Sequence, residues 1–343
     1  MSAQRGLIPD ETWLRDTPGT VPSPRGVLSA GVARYLTGSD VPTPLGEPPA
    51  VSDPLGDDDL HLALYLCYEL AYRGLAGVDD RLESDPALLT FRLQLEEAFE
   101  GALRKFVRPV DVRPDSVASE LRAIAAMGEG PSLSGFMERE ATLEQFEEFM
   151  IHRSIYHLKE ADPHSFGIPR LAGAAKAALI EIQNDEYGDG DPSQMHSTLF
   201  GRSMEAMGLN PTYGWYLPRI PGATLALTNL MSLFGLHRRL RGALVGHLAL
   251  FELTSSIPNR RYANGLRRCG LGCEATRFFD VHVEADAIHG AIAANDLAEG
   301  FVGGDAERAR EVLFGALALQ LLETTVGKSW MEDWGRGRTT LRS

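Results

Sequence analysis

The chain reads as an all-α protein, a helical bundle with a helical N-terminal elaboration. Three observations predict this. Apolar residues recur at helical spacing through most of the chain after about residue 57. No alternating apolar–polar run of useful length and no internal repeat is found. Gly/Pro/Asn clusters punctuate the sequence at intervals that suit helices rather than hairpins.

Taken in order, residues 1–56 are rich in Pro, Gly, Ser and Thr, as in Thr17-Pro18-Gly19-Thr20-Val21-Pro22, and predict an extended N-terminal arm. Asp57-Asp58-Asp59 supplies acids where a helix N-terminus favours them, ahead of an apolar run from Leu60 to Ala71. Helices follow at about 87–107, 115–127 and 142–161, the last two separated by Gly128-Glu129-Gly130-Pro131-Ser132. Residues 57–140 are expected to pack on the core or at a dimer interface, and 141–330 to form the main bundle, with 331–343 as a tail. Pro169 suits the first turn of a helix reaching Tyr187, which Gly188-Asp189-Gly190-Asp191-Pro192 interrupts. A helix over 193–207 stops at Gly208-Leu209-Asn210-Pro211. Two long apolar segments, 222–255 and 273–298, are separated by Pro258-Asn259, and a last helix covers about 305–326.

Composition narrows the function. Acidic residues outnumber basic ones, 47 to 33, giving a net charge of −14. A nucleic-acid binder needs a basic face to neutralise phosphates, and an anionic membrane surface needs the same, so neither partner is expected. No apolar window is long enough to span a bilayer, and the first residues lack an apolar signal core. Cys67, Cys269 and Cys273 are too few and too scattered for a disulfide framework, and a reducing cytoplasm is the expected compartment.

The chemistry concentrates after residue 150, where eight of the nine histidines lie. The strongest pattern is His282-x3-Asp286-x2-His289. At 3.6 residues per turn these three project from one face, among Ala285, Ala287 and Ile288. Such a stripe is either a solvated polar face or a metal-binding one. Imidazole with carboxylate suits iron or manganese better than calcium or a thiolate-held ion. One helix cannot close a two-metal site, so other helices must add carboxylates. Glu186 ends one helix and His196 opens the next. They are out of phase on a regular helix, so the Gly/Asp/Pro break would have to join them. Glu252 is the only acid between Glu205 and Glu274, inside an apolar helix. It must pair with a metal or with a cation such as Arg238, Arg239, Arg241, Arg260 or Arg261. Glu160 has no distinctive local setting and reads as a helix-end surface acid. The Glu-x-x-His pairs of ferritin-type diiron bundles do not occur.

With these residues the chain resembles the haem-oxygenase-like diiron oxidases, the iron-containing redox enzymes, over roughly residues 140–300. The resemblance implies a haem-oxygenase-like bundle with two non-haem irons and no haem, held by Glu186, His196, Glu252, His282, Asp286 and His289. Glu160, 26 residues before Glu186, and the block from His152 to His164 also resemble the branch that oxygenates nitrogen. That implies Glu160 as a seventh ligand, the extra carboxylate that tunes the iron–oxygen chemistry. No β domain follows the helical one and the N-terminal leader differs from the streptozotocin type, so the single-domain amino-acid N-oxygenases that form 6-nitronorleucine from lysine are the nearer analogues. The implied activity uses O2 and an external reductant to convert a free amine, lysine N6 first, to hydroxylamine and on to nitroso or nitro product. Arg260 or Arg261 would hold the substrate carboxylate, or serve only as a surface pair. A homodimer is also expected. The alternatives are an oxidase of the same fold acting on carbon, and a metal-free helical binding protein.

Overall fold

The computed structural model describes residues 18–38, 45–108, 112–127 and 132–343, apart from the side chains of Asp286 and Ala287. The remainder of the N-terminal arm and the Gly128–Pro131 part of the break after the 115–127 helix lie outside the described residues. Among the described residues the structure is helical, with one isolated bridge between Gly19 and Leu75.

The N-terminal third comprises α1 (Val27–Thr37), α2 (Asp58–Glu69), α3 (Pro86–Phe106), α4 (Val117–Ala126) and α5 (Leu133–Arg139). The bundle proper runs through α6 (Leu143–His157), a short α7 (Asp162–Ser165), α8 (Gly173–Glu186), α9 (His196–Ala206), α10 (Gly222–Leu236), α11 (Arg241–Arg268), α12 (Cys273–Ala291), α13 (Glu299–Val302) and α14 (Ala306–Gly335). A π-helical stretch, Ile292–Ala298, joins α12 to α13. Such stretches are rare and cluster near functional sites.

Caps account for several boundaries. The Asp57 carboxylate accepts from the amides of Asp59 and Leu60 at the start of α2. Asp85 with Pro86 opens α3, and Thr142 with Gln145 forms a reciprocal capping box on α6.

Five boundaries differ from the sequence-based ones, the first four for identifiable physical reasons. Residues 27–37, inside the stretch read as an extended arm, form α1. Its first amides, on Leu28 and Ser29, are capped by Asp59 from α2 at 2.8 Å each, a partner thirty residues away. The helix expected to start at Pro169 starts at Gly173, because residues 168–170 close a 3-10 turn. The expected 222–255 helix breaks at His237, where a 3-10 turn, Arg238–Leu240, sends cations to α3. Arg239 makes a two-pronged pair with Glu100, and His237 Nε2 meets Glu96 at 2.8 Å. Conversely, α11 runs straight through Pro258-Asn259. The hydroxyls of Thr254 and Ser255 bond back to carbonyls of the preceding turn, and packing against α5, α12 and α14 holds the helix together despite the missing amide. The last helix also extends to Gly335, beyond the expected residue 326.

The core is centred on α11, which is flanked by α12 and α14. The α11–α14 crossing is close enough that a Cβ on Gly246 would overlap the Val312 carbonyl, and one on Gly315 the Ala243 carbonyl. At the α11–α12 contact Gly290 lies against the Glu252 carbonyl, next to His289.

Candidate metal centre and its relatives

Four segments deliver the polar side chains to one place. Glu160 follows the end of α6 in a turn completed by Ala161 in the left-handed region, φ 73°. A side chain there is strained, so the surrounding structure has to hold it. It does. Gln183 Nε2 donates to the Ala161 carbonyl at 2.8 Å and Arg73 Nη2 to the Leu158 carbonyl at 3.0 Å. Lys159, buried on the other side of the turn, pairs with Glu69 of α2 at 3.0 Å and lies 3.9 Å from the Tyr72 ring centre. With Lys159 pinned one way, Glu160 points the other, into the bundle.

Glu186 is the last residue of α8 and His196 the first of α9. Between them Gly188 and Gly190 adopt φ of 66° and 83°. A Cβ on Gly188 would stand 2.6 Å from the Met195 amide nitrogen, so only glycine fits there. This tight reversal brings the two side chains together, with Glu186 Oε2 2.8 Å from His196 Nδ1. Glu252 comes from the middle of α11. His282 and His289 come from α12, two turns apart on one face.

All six side chains are buried, none more than 7% exposed. Their donor atoms form two groups. Glu160, Glu186, His196 and His282 offer atoms all within 4.8 Å of one another, and so do Glu186, Glu252 and His289. Glu186 belongs to both. Around the shared carboxylate is a small cavity, walled also by Tyr156, His164, Gln183, Leu248 and Phe251.

Three buried atoms of this cluster, Glu160 Oε2, His282 Nε2 and His289 Nδ1, have no hydrogen-bond partner, and Glu186 Oε2 and His196 Nδ1 face each other at 2.8 Å without hydrogen-bond geometry. Unsatisfied buried polar atoms are costly, and their convergence here fits a site that binds a metal. Outer contacts fix their orientation. The Phe278 carbonyl accepts from His282 Nδ1 at 2.8 Å, which leaves Nε2 as a free lone pair 3.8 Å from Glu160. Asp185 lies 3.1 Å from His289 Nε2, leaving Nδ1 to face Glu252 at 3.5 Å. His157 Nδ1 and Glu160 Oε1 share a hydrogen bond at 2.8 Å.

Burial and neighbouring charges set the protonation of the cluster. Burial pushes the Glu160 carboxyl up to about 8, against the pull of His196. Burial works against a charge on His196, but Glu186 outweighs it and raises that imidazole to about 9. In the same way Asp185 and Glu252 overcome burial to raise His289 to about 10. Burial and the neighbouring His196 drive His282 well down, so it is neutral. Protons therefore occupy a carboxylate–imidazole cluster whose composition suits a first-row metal such as iron.

Of the residues expected from sequence, Glu160, Glu186, His196, Glu252, His282 and His289 converge. Asp286 lies on α12 between the two histidines, and its side chain is outside the described residues. Glu252 faces His289 instead of an arginine. Arg260 is exposed on α11, and Arg261 bonds to the Ser132 and Ser134 hydroxyls at 3.2 Å each; neither lines the cavity. Asp185 and His157, which orient the cluster, carry no sequence signal beyond being next to Glu186 or near Glu160.

An all-α bundle with buried carboxylates and imidazoles at its centre defines a class, the iron-containing redox enzymes. The family of that description matches residues 147–324, and the chain belongs to it; it is an oxidoreductase with the haem-oxygenase-like fold. Within curated relatives it is similar to the nitrosourea synthase of Streptomyces achromogenes subsp. streptozoticus, 31% identical over 138 residues. That alignment takes in 40% of this chain and 29% of the relative, so the chain spans under a third of that protein's length. Among the described residues no helix is long and apolar enough to cross a membrane.

Proposed function

We propose that the chain is a diiron N-oxygenase that uses O2 and an external reductant to oxidise the free amine of an amino acid, with lysine N6 the first candidate. The observation that carries this reading is the shared carboxylate. Glu186 belongs to both donor groups, and would be the carboxylate shared by two metals held there. Glu160, His196 and His282 would complete one iron site, and Glu252 and His289 the other. Asp286 would join them from its position on the α12 stripe. Bound there, two irons would supply the electrons and Lewis acidity that activate O2.

The protein's own side chains prepare the site. The Phe278 carbonyl and Asp185 hold two imidazoles in the tautomer that offers a lone pair inward. The hydrogen bond with His157 holds Glu160 against the cluster. An amine attacks only when neutral, and the carboxyl groups of Glu160, Glu186 and Glu252, which line the cavity with Tyr156, Leu248 and Phe251, would accept its proton. The similarity to a nitrosourea synthase favours nitrogen over carbon as the atom oxidised.

The test is to load the full chain with Fe(II) anaerobically, count bound iron, then add O2, reductant and a panel of free amino acids and read products by mass. Two irons per chain and oxygen gained on an amine are expected. Glu186→Ala should lower iron to one or fewer per chain, and Glu160→Gln should abolish amine oxidation while O2 uptake persists. One iron or none in the unmodified chain, or product oxidised only at carbon, refutes the proposal.

A further inference from the structure

Two buried histidines lie beside the carboxylate–histidine cluster without belonging to it. His164 of α7 and His247 of α11 are each 1% exposed, and His164 Nε2 lies 3.1 Å from His247 Nδ1. Neither ring is in the two donor groups. His164 walls the cavity around the cluster. His247 instead walls a second void, between α6, α10, α11 and α14, with room for about one water. The His247 ring sits between Phe251, nearly parallel at 6.1 Å, and Phe234, edge-on at 6.4 Å, and its Nε2 has no hydrogen-bond partner. Glu323 of α14 walls the same void, and its side chain is 31% exposed. Each Glu323 oxygen accepts one N–H from Arg153, at 2.7 and 2.9 Å, and keeps a second lone pair.

An unpartnered buried nitrogen beside a water-sized space marks a water site. We propose that Glu323, one water on His247 Nε2, His247 and His164 form a proton path from solvent to the metal cavity. Its purpose rests on the oxygenase reading. Placing one atom of O2 on an amine while the other leaves as water consumes two electrons, from the external reductant, and two protons, from solvent. Burial keeps both rings neutral, His164 down to about 4 and His247 well below its ordinary value, so each has one N–H and one lone pair. The water gives a proton to His247 Nε2 while the Nδ1 proton of that ring passes to His164 Nε2. His164 Nδ1 releases its own proton to the cavity, and Glu323, reached by solvent, returns one to the water. One proton enters and one leaves, so no imidazolium has to form in the interior. A half-turn of each ring resets the pair. Asp185, 41% exposed, also reaches the cluster, but through His289. The inner nitrogen of that ring would hold a metal and so cannot hand on a proton, whereas His164 and His247 carry no such commitment.

Hydrogen exchange on the full metal-free chain, read by NMR on isotope-labelled histidine, tests the path without any turnover. The ring N–H protons of His164 and His247 should be lost to D2O about tenfold faster than that of His61, which is as deeply buried and bonds to the Pro54 carbonyl at 3.0 Å. Glu323→Gln should remove most of that difference. The second readout is O2 uptake by the Fe(II)-loaded chain, driven by ascorbate with L-lysine present. His247→Leu should slow it about 100-fold and raise its solvent deuterium isotope effect, with bound iron unchanged. Should His247→Leu not fold, Glu323→Gln replaces it in this measurement and is expected to change rate and isotope effect in the same directions. Exchange at His164 and His247 as slow as at His61 overturns the path. So does an unchanged rate and isotope effect in the folded variant with its iron in place. A parent chain that takes up no iron while its two rings exchange fast overturns the metal reading and leaves the proton path standing.

Discussion

At the scale of single residues, orientation matters as much as donor identity. Asp185 touches no shared donor group, yet it faces the outer nitrogen of His289 at 3.1 Å. Asp185→Asn should leave the fold unchanged and weaken metal binding by roughly 10–100-fold, because the imidazole loses the acceptor that fixes its tautomer. Competition with a chelator measures this, and an unchanged affinity would show that Asp185 does not act on His289. The ligand types are legible in sequence because a carboxylate or imidazole within an apolar helix needs a partner. Glu252 and the His282–His289 stripe stand out for that reason. Asp185 and His157 do not, since an outer contact depends on where a neighbouring ring points, which no spacing rule records. Glu160 is intermediate: locally unremarkable, it is marked in sequence only by the family resemblance, and the turn that buries it is visible only in the fold.

Among the helices, contact distance decides which changes are tolerated. Where α11 crosses α14, Gly246→Ala must push the helices apart at the Val312 carbonyl, and should cost about 2–3 kcal/mol. Gly101, in the exposed interior of α3, has nothing within 4 Å of where a Cβ would stand. Gly101→Ala should instead stabilise by about 0.5–1 kcal/mol, through helix propensity alone. Urea unfolding of both variants gives the comparison; a Gly246→Ala protein as stable as the parent would contradict the close crossing. The same helices show where pattern reading stops. Periodicity finds α3 to within a residue and the start of α6, where an apolar face meets a local cap, but it overruns the end of α6 by four residues and starts α9, which has no side-chain cap, three residues early. It misses α1, which Asp59 caps from afar, and misplaces the ends of α10 and α11. There the ion pairs of Arg239, and the packing of α11 against α5, α12 and α14 around Pro258, outweigh local preference.

For the molecule as a whole, pH and metal act together. Glu160, His196 and His289 all bind protons more tightly in the metal-free fold than their ordinary values of 4.5, 6.5 and 6.5 imply. At these three sites the folded chain holds more protons than the unfolded one up to about 8, 9 and 10, so they make stability fall as pH rises through those values. Six buried histidines, His61, His152, His157, His164, His247 and His282, are pushed down instead and make stability rise as pH climbs towards their ordinary 6.5, so the Tm of metal-free protein should decrease only above that, from about pH 7.5 to pH 9. A divalent metal displaces the same protons, so the stabilisation by Fe(II) should grow over that range, with roughly three protons released per chain near pH 7. Thermal scans with and without Fe(II) test this; a metal-free Tm that stays flat or rises would count against it.

The buried Lys159–Glu69 pair has a practical consequence for anyone dissecting the protein. The region shared with the family begins at residue 147, inside α6, whereas Glu69 and Arg73, which grip the Leu158–Ala161 turn, come from far upstream. A fragment cut at the edge of similarity would strand an ammonium in an oily interior and release the loop that aims Glu160. The borders drawn by homology and by mechanical integrity do not coincide, and any minimal working piece has to begin before α2.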